Sequence, residues 1–340
     1  MSIFLGVDVG GTSIKVAACD QAGTLLTEEL EQVETDRASL QAFIACQVRA
    51  LGACLRYLKL GWKNVAAVGQ ATPGPCNDGL MEKTANLPDF LTGQNVRSLL
   101  EQALEQDSGI AIPVCYYNDG NAGAYAEWFV RSQRKSEKFS LVAIQPGTGL
   151  GAAYIDPNGN VLVGAHGCGM ELGHVLLHPR YQLREYPCGC GRRGCIETMC
   201  SLQGLQHRLG TLTKIDESQS ATEVLKTPGD VKQKALAVRT LAMRGDPLAL
   251  RLFTEQAKAL GYAAAVTALL VDPHEIVIGG GLADRSATTK EFRDDFVATA
   301  KATFQEHAFP VQANTPFSWA ELGETAQGYG VALLARNRQH

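Results

Sequence analysis

At 340 residues, 45% of them apolar, the chain is long enough for two domains with separate cores. A formal charge of −4 without any lysine- or arginine-rich block argues against a nucleic-acid binder, and no apolar run approaches the roughly 18 residues that a membrane span needs. Met1-Ser-Ile-Phe-Leu-Gly enters an apolar segment with no basic stretch before it, so no signal peptide is expected. Ten cysteines, most of them scattered through apolar segments, fit a reduced protein of the cytoplasm.

Residues 3–8 read as a short buried strand that breaks at Val9-Gly10-Gly11-Thr12 and resumes over 14–19. Asp20-Gln-Ala-Gly23 is a turn, and a third strand is expected over 24–30. Residues near 36–60 alternate at helical period, and 65–69 is a strand followed by the loop Ala71-Thr-Pro73-Gly74-Pro75. A helix is expected over roughly 94–107, a strand over 114–117 ending at Asn118-Asp119, and a helix from Ala122 to about Arg134.

The second half repeats the first. A shift of 136 positions places Gly11-Thr12 on Gly147-Thr148, Asp20 on Asp156 and Gly23 on Gly159. Residues 141–144 and 151–155 then match the two flanking strands, and Glu275-Ile-Val-Ile-Gly279-Gly280-Gly281 is a strand running into a glycine loop. Two related α/β domains follow, each opening with a strand–glycine turn–strand unit. Asp8 and Gly10 correspond to Ile144 and Pro146, so only the first copy keeps a carboxylate beside its turn.

Asp8-Val-Gly10-Gly11-Thr12, with Lys15 following, sets a carboxylate at a strand end above uncovered backbone N–H groups. That pattern suits phosphate oxygens and a magnesium ion, although an ordinary hairpin with glycine at positive φ would read the same. Gly147-Thr148-Gly149 offers a second cradle. Asn118 and Asp119 stand where α/β sites gather, at the carboxyl end of a strand. Either could simply cap a helix; an aspartate there could equally take a proton from a hydroxyl attacking a phosphoryl group. As an exposed group of ordinary pKa, roughly 3.9, Asp119 is expected to be ionised. Asn86-Leu87-Pro88-Asp89-Phe90 is a turn that could reach over a pocket.

Cys188, Cys190 and Cys195 lie within eight residues of one another, and His174 precedes them. Three thiolates and an imidazole complete a tetrahedral zinc site with no open position, hence a structural one. Glu171 and Glu197 flank these ligands, so a metal here would also hold two carboxylates in place.

Together these motifs resemble the ROK family (repressors, open reading frames, kinases). Asp8-x-Gly-Gly-Thr12, Asn86-Leu-Pro88, Asn118-Asp119-x-Asn-Ala, the Gly147-Thr-Gly149 turn, Glu171-x-Gly-His174 and Cys188-x-Cys-Gly-x-x-Gly-Cys195-x-Glu197 match in the family's order. The resemblance implies a two-domain, actin-like (ribonuclease H-like) ATPase fold closing on a central cleft. On that plan residues 1–119, with a C-terminal helix over about 324–340, form the smaller domain, and 120–323 form the larger one with the zinc knuckle. It also implies transfer of a phosphoryl group from ATP to the 6-hydroxyl of a hexose, glucose foremost. Kinases for N-acetylmannosamine, N-acetylglucosamine, mannose, allose or fructose are the nearest alternatives. Asp119 would be the base, and Asn86, Asn118, Glu171, His174 and Glu197 would bind sugar, His174 also holding zinc through its other nitrogen. Asp8, Gly10, Gly11, Thr12, Lys15, Gly147, Thr148 and Gly149 would surround the nucleotide phosphates and magnesium, and Gly280 and Gly281 the adenosine. A homodimer or homotetramer is implied, with no nucleic-acid or membrane partner.

Met170 and Phe90 depart from the pattern, replacing a small residue and a tryptophan, which bears on the sugar pocket. The family's sugar-responsive repressors carry an N-terminal helix-turn-helix, for which the few residues before Asp8 leave no room.

Overall fold

The computed structural model describes residues 2–27, 32–74, 77–82, 84, 87–178, 180, 186–216, 223–224, 226 and 229–338. The chain forms two compact units, one of residues 1–138, 153–169 and 324–340, the other of 139–152 and 170–323.

The first unit is built on a five-stranded sheet of order β3-β2-β1-β4-β5, with β1 Ile3–Val9, β2 Ser13–Asp20, β3 Val33–Glu34, β4 Val65–Thr72 and β5 Val114–Asn118. β1 and β2 form an antiparallel hairpin, whereas β1, β4 and β5 run parallel. Helices cover both faces, which is why β1 and β4 are apolar almost throughout rather than alternating. Leu5, Val7 and Val9 share a core with α1 (Leu40–Tyr57) and α2 (Val96–Ser108). On the other face lies a helix from the far end of the sequence, Ala326–Asn337. It sits directly on backbone: Gly6 and Gly69 are register partners, and a Cβ added to either would come 2.0 Å from Gly328 O or 2.1 Å from Val331 O. Glycine is required at both positions by this approach.

Caps fix the helix ends more sharply than the apolar period does. Ser39 accepts from Ala42 N–H and starts α1 at Leu40, later than the period alone suggests. Asn95 does the same for α2, which ends at Gly109 in the left-handed region. The strand expected over 24–30 is not formed as read: Leu25 makes an isolated bridge to Cys19, and residues 28–30 lie outside those described. Thr27 explains the break in pattern, because its hydroxyl accepts from Ala18 N–H in place of a ladder bond.

A second sheet has four strands, β6 Leu141–Pro146, β7 Leu150–Ile155, β8 Glu275–Ile278 and β9 Phe317–Trp319, in the order β7-β6-β8-β9, with β6, β8 and β9 parallel. This is the first sheet's order again: a hairpin, then two parallel strands beside its first member. The repeat holds at single-bond detail. Gly23 N–H donates to Asp20 O and Asp20 N–H to Thr24 O; Gly159 N–H donates to Asp156 O and Asp156 N–H to Asn160 O. Gly23 and Gly159 have φ of 90° and 84°. No helix among the described residues is long and apolar enough to cross a membrane.

Candidate active site

In the first unit, Asp8 lies opposite Ala71 of β4, and Thr72 of β4 lies opposite Asn118 of β5. Asp8, Asn118 and Asp119 therefore share the carboxyl edge of one sheet. Asn118 caps α3 (Asp119–Ser132): its side-chain oxygen accepts from Asn121 N–H, and its amide donates to Gly74 O at 2.8 Å. The helix thus starts three residues before Ala122, where the sequence pattern places it. Asp119 Oδ1 accepts from Gly120 N–H at 2.8 Å.

Neither carboxylate is an ordinary exposed aspartate. Burial pushes the Asp119 carboxyl above its usual range, against the pull of hydrogen bonds from Gly120 and its own N–H. This corrects the expectation of an unperturbed pKa; what the sequence hides is the desolvation. Burial first, then the charge of Asp119, raise Asp8 to about 7, with Lys15 pulling the other way. Two desolvated carboxylates with so little positive charge beside them form a donor set that suits a divalent cation such as magnesium.

The turn between β1 and β2 is tied down by its carbonyls. Gly10 O accepts from the Thr35 hydroxyl, Thr12 O from Thr35 N–H and Gly11 O from the Arg37 guanidinium. Among the described residues, the Gly11 and Thr12 amides carry no hydrogen bond and form the turn's open edge. Lys15 pairs with Glu324 at 2.9 Å. Asn86 lies outside the described residues.

In the second unit, Gly147 N–H closes on Gly149 O at 2.8 Å, and Thr148 at the tip is exposed. The Gly280 loop lies against it. A Cβ on Gly280, whose φ is 69°, would meet Pro146 O at 2.1 Å, and Gly279 N–H donates to Ile144 O. Arg239, not singled out in the sequence, clamps Gly281 O at 2.6 Å. Its contact spans 42 residues and has no local signature.

His174, Cys188, Cys190 and Cys195 converge, with one ligand atom from each lying within 4.8 Å of all the others. Cys190 Sγ and Cys195 Sγ are 3.7 Å apart, and Cys188 Sγ is 3.6 Å from His174 Nδ1. Zinc bonds of about 2.3 Å to sulfur and about 2.05 Å to nitrogen give tetrahedral edges of about 3.75 and about 3.55 Å, so the set fits that ion. Its protonation chemistry agrees. Hydrogen bonds from Arg192 lower the Cys190 thiol, whereas burial raises Cys188 and Cys195, so three thiolates need a cation among them. His174 turns Nδ1 to the cysteines and Nε2 to Glu171, whose carboxylate is 3.8 Å away. Glu171 is the centre of an inverse γ-turn (φ −68°, ψ 53°) closed from Leu172 N–H to Met170 O. Glu197 accepts from Leu150 N–H at 2.9 Å, a contact the sequence does not announce.

The sequence model of the ROK family matches residues 4–338. A glucokinase of Halalkalibacterium halodurans is 29% identical over 99% of this chain and 96% of its own. Among solved structures, a ROK hexokinase from Thermus thermophilus superposes with a TM-score of 0.76 at 26% identity, covering 99% of each chain. A ROK family glucokinase from Streptomyces griseus, in complex with glucose and AMPPNP, gives 0.73 at 26% identity, covering 99% of this chain and 100% of the other. The two duplicated sheets are those of the actin-like ATPase fold that these kinases share.

Proposed function

Because the chain belongs to the ROK family over nearly its whole length, we propose that it is an ATP-dependent hexose kinase phosphorylating the 6-hydroxyl of glucose. Likeness over the full length to a glucokinase, and to one solved with glucose and AMPPNP, supports the donor and acceptor classes.

The observation that carries the reading is Asp119. Its carboxylate stands at a strand's carboxyl end, held through one oxygen by Gly120 N–H and partly withdrawn from water. Withdrawal raises its basicity, so it takes the proton of an attacking hydroxyl more readily than an exposed aspartate does. The rest of the task is alignment and charge neutralisation. Asn118, Glu171, His174 through Nε2, Glu197 and Asn86 take sugar hydroxyls. The open amides of the 10–12 turn and the 147–149 turn take phosphate oxygens, with Lys15 beside them and Gly280-Gly281 along the adenosine. Asp8 would hold magnesium, which when bound neutralises charge on the phosphoryl oxygens. The knuckle would hold one structural zinc per chain. A homodimer or homotetramer completes the reading, and sedimentation analysis checks it.

Asp119→Asn tests the assignment. In a coupled assay of sugar-dependent ADP release, turnover is expected to fall by roughly 100-fold or more while sugar binding persists. Turnover at the unsubstituted level would refute the base. A panel of hexoses in the same assay identifies the preferred acceptor.

A further inference from the structure

Glu197 touches both the knuckle and the 147–149 turn. Oε1 is 3.5 Å from Cys188 Sγ, and Oε2 accepts from Leu150 N–H at 2.9 Å. Leu150 is the first residue after the turn, and it is buried. Five residues beyond Glu197, Leu202 N–H donates to Gly147 O at 2.9 Å. The segment 197–202 therefore grips the turn on both sides, a carboxylate on the amide that leaves it and an amide on the carbonyl that enters it. Cys195 fixes the start of this segment two residues before Glu197. The fit has no slack. A Cβ on Gly149 would lie 2.6 Å from Glu197 Oε2, and a Cβ on Gly173 would lie 2.5 Å from Leu150 O.

We propose that Glu197 is a positioning residue for the 147–149 turn, so that the Cys/His knuckle anchors the phosphate-binding backbone as well as the sugar-facing side chains. The nucleotide part rests on the kinase reading; the mechanical part does not. A glycine turn binds phosphate well only when its N–H groups are already oriented, because any ordering left to the binding step weakens affinity. A charge-assisted bond to Leu150 N–H supplies that orientation from outside the turn. A group that served sugar alone would leave nucleotide affinity untouched when no sugar is present.

The experiment has two readouts on the intact protein, both without sugar: AMPPNP–magnesium affinity by calorimetry, and amide exchange of the peptide spanning 147–152. Glu197→Ala is expected to weaken AMPPNP roughly tenfold and to speed exchange by a similar factor. Glu197→Gln, whose side-chain oxygen still accepts from Leu150 N–H, is expected to restore both to within about threefold. Stripping the metal with a chelator should speed exchange in 147–152 although that peptide contains no ligand. Gly149→Ala, which displaces the carboxylate without removing its charge, is the second variant should Glu197→Ala fold poorly, and it should reproduce the loss. Unchanged affinity and unchanged exchange in Glu197→Ala or Gly149→Ala would overturn the proposal. Failure of the unsubstituted protein to bind AMPPNP or phosphorylate any hexose would instead defeat the kinase reading, and the exchange data would still decide the bridge.

Discussion

Replacing Gly330 by alanine opposes two effects of different size. Gly330 lies within the helix Ala326–Asn337, so alanine gains about 1 kcal/mol of helix propensity. Its Cβ, however, would sit 1.7 Å from Ala122 O and 2.5 Å from Ala122 C, in the first turn of α3. That is roughly 1.5 Å short of the closest ordinary carbon–oxygen contact, and both atoms it meets are backbone, with no rotamer to yield. The helices must part. Val331, Leu333 and Leu334 are buried in that helix, and a gap of 0.5–1 Å forfeits about a quarter to a half of each dispersion contact. Summed over a few buried side chains, the loss is on the order of 3–5 kcal/mol, so Gly330→Ala should be destabilised by about 2–4 kcal/mol net. Urea denaturation followed by far-UV circular dichroism reads this directly. Gly52→Ala in α1 is the companion: its Cβ would meet only Arg56 Nη1 at 3.5 Å and Trp62 Cζ2 at 3.9 Å, so it should gain about 0.5–1 kcal/mol. Because Ala122 is three residues from Asp119, turnover should fall in Gly330→Ala but not in Gly52→Ala. A Gly330→Ala midpoint at or above that of the unsubstituted protein would refute the reasoning.

The raised pKa of Asp8 makes stability depend on pH. A carboxyl at about 7 in the folded chain and near 3.8 unfolded binds more protons when folded, so its contribution is intact below about pH 4 and is lost as pH rises through 7. Asp8→Asn should therefore match the unsubstituted protein near pH 4 and exceed it at pH 8 by a few kcal/mol at most, on the order of 4, in magnesium-free thermal melts. Equal melting temperatures at pH 8 would contradict the desolvation. Cys190→Ser should lower zinc content from about one per chain to near zero by atomic absorption; a metal-free native protein of normal activity would defeat the structural-zinc assignment. Met170 holds φ at 65°, a conformation that costs a bulky residue about 1–2 kcal/mol, so Met170→Gly should raise the melting temperature; a lowered one would show that the side chain's packing outweighs the strain.

What the sequence makes legible here is local. The duplicated hairpins can be read because Asp20 with Gly23 and Asp156 with Gly159 are turn residues chosen for their own backbone, at matching offsets. The knuckle can be read because its ligands lie within 22 residues. Helices Leu202–Asp216 and Pro247–Val271 leave less trace; in the latter the polar stripe of Arg251, Thr254, Glu255 and Lys258 gives out before the buried run Ala263, Ala264 and Ala265. The desolvation of Asp119 and the grip of Glu197 on Leu150 arise from packing across many residues, which composition and spacing do not record. Gly6 and Gly69 look like weak points in their strands until the helix that needs them is in place, and Gly330 looks like one in that helix until α3 lies against it.

That helix has a consequence for how the protein is made. Its residues, 326–337, are synthesised roughly 250 positions after β4, yet they cover β1 and β4. At about 5–20 residues per second, one face of the first sheet waits bare on the ribosome for roughly 10–50 seconds. Every residue of the second unit, 139–152 and 170–323, emerges in that interval. The unit begun first is thus the last to be finished. A chain arrested just before Ala326 would leave Gly6 and Gly69 uncovered, a ready surface for a chaperone.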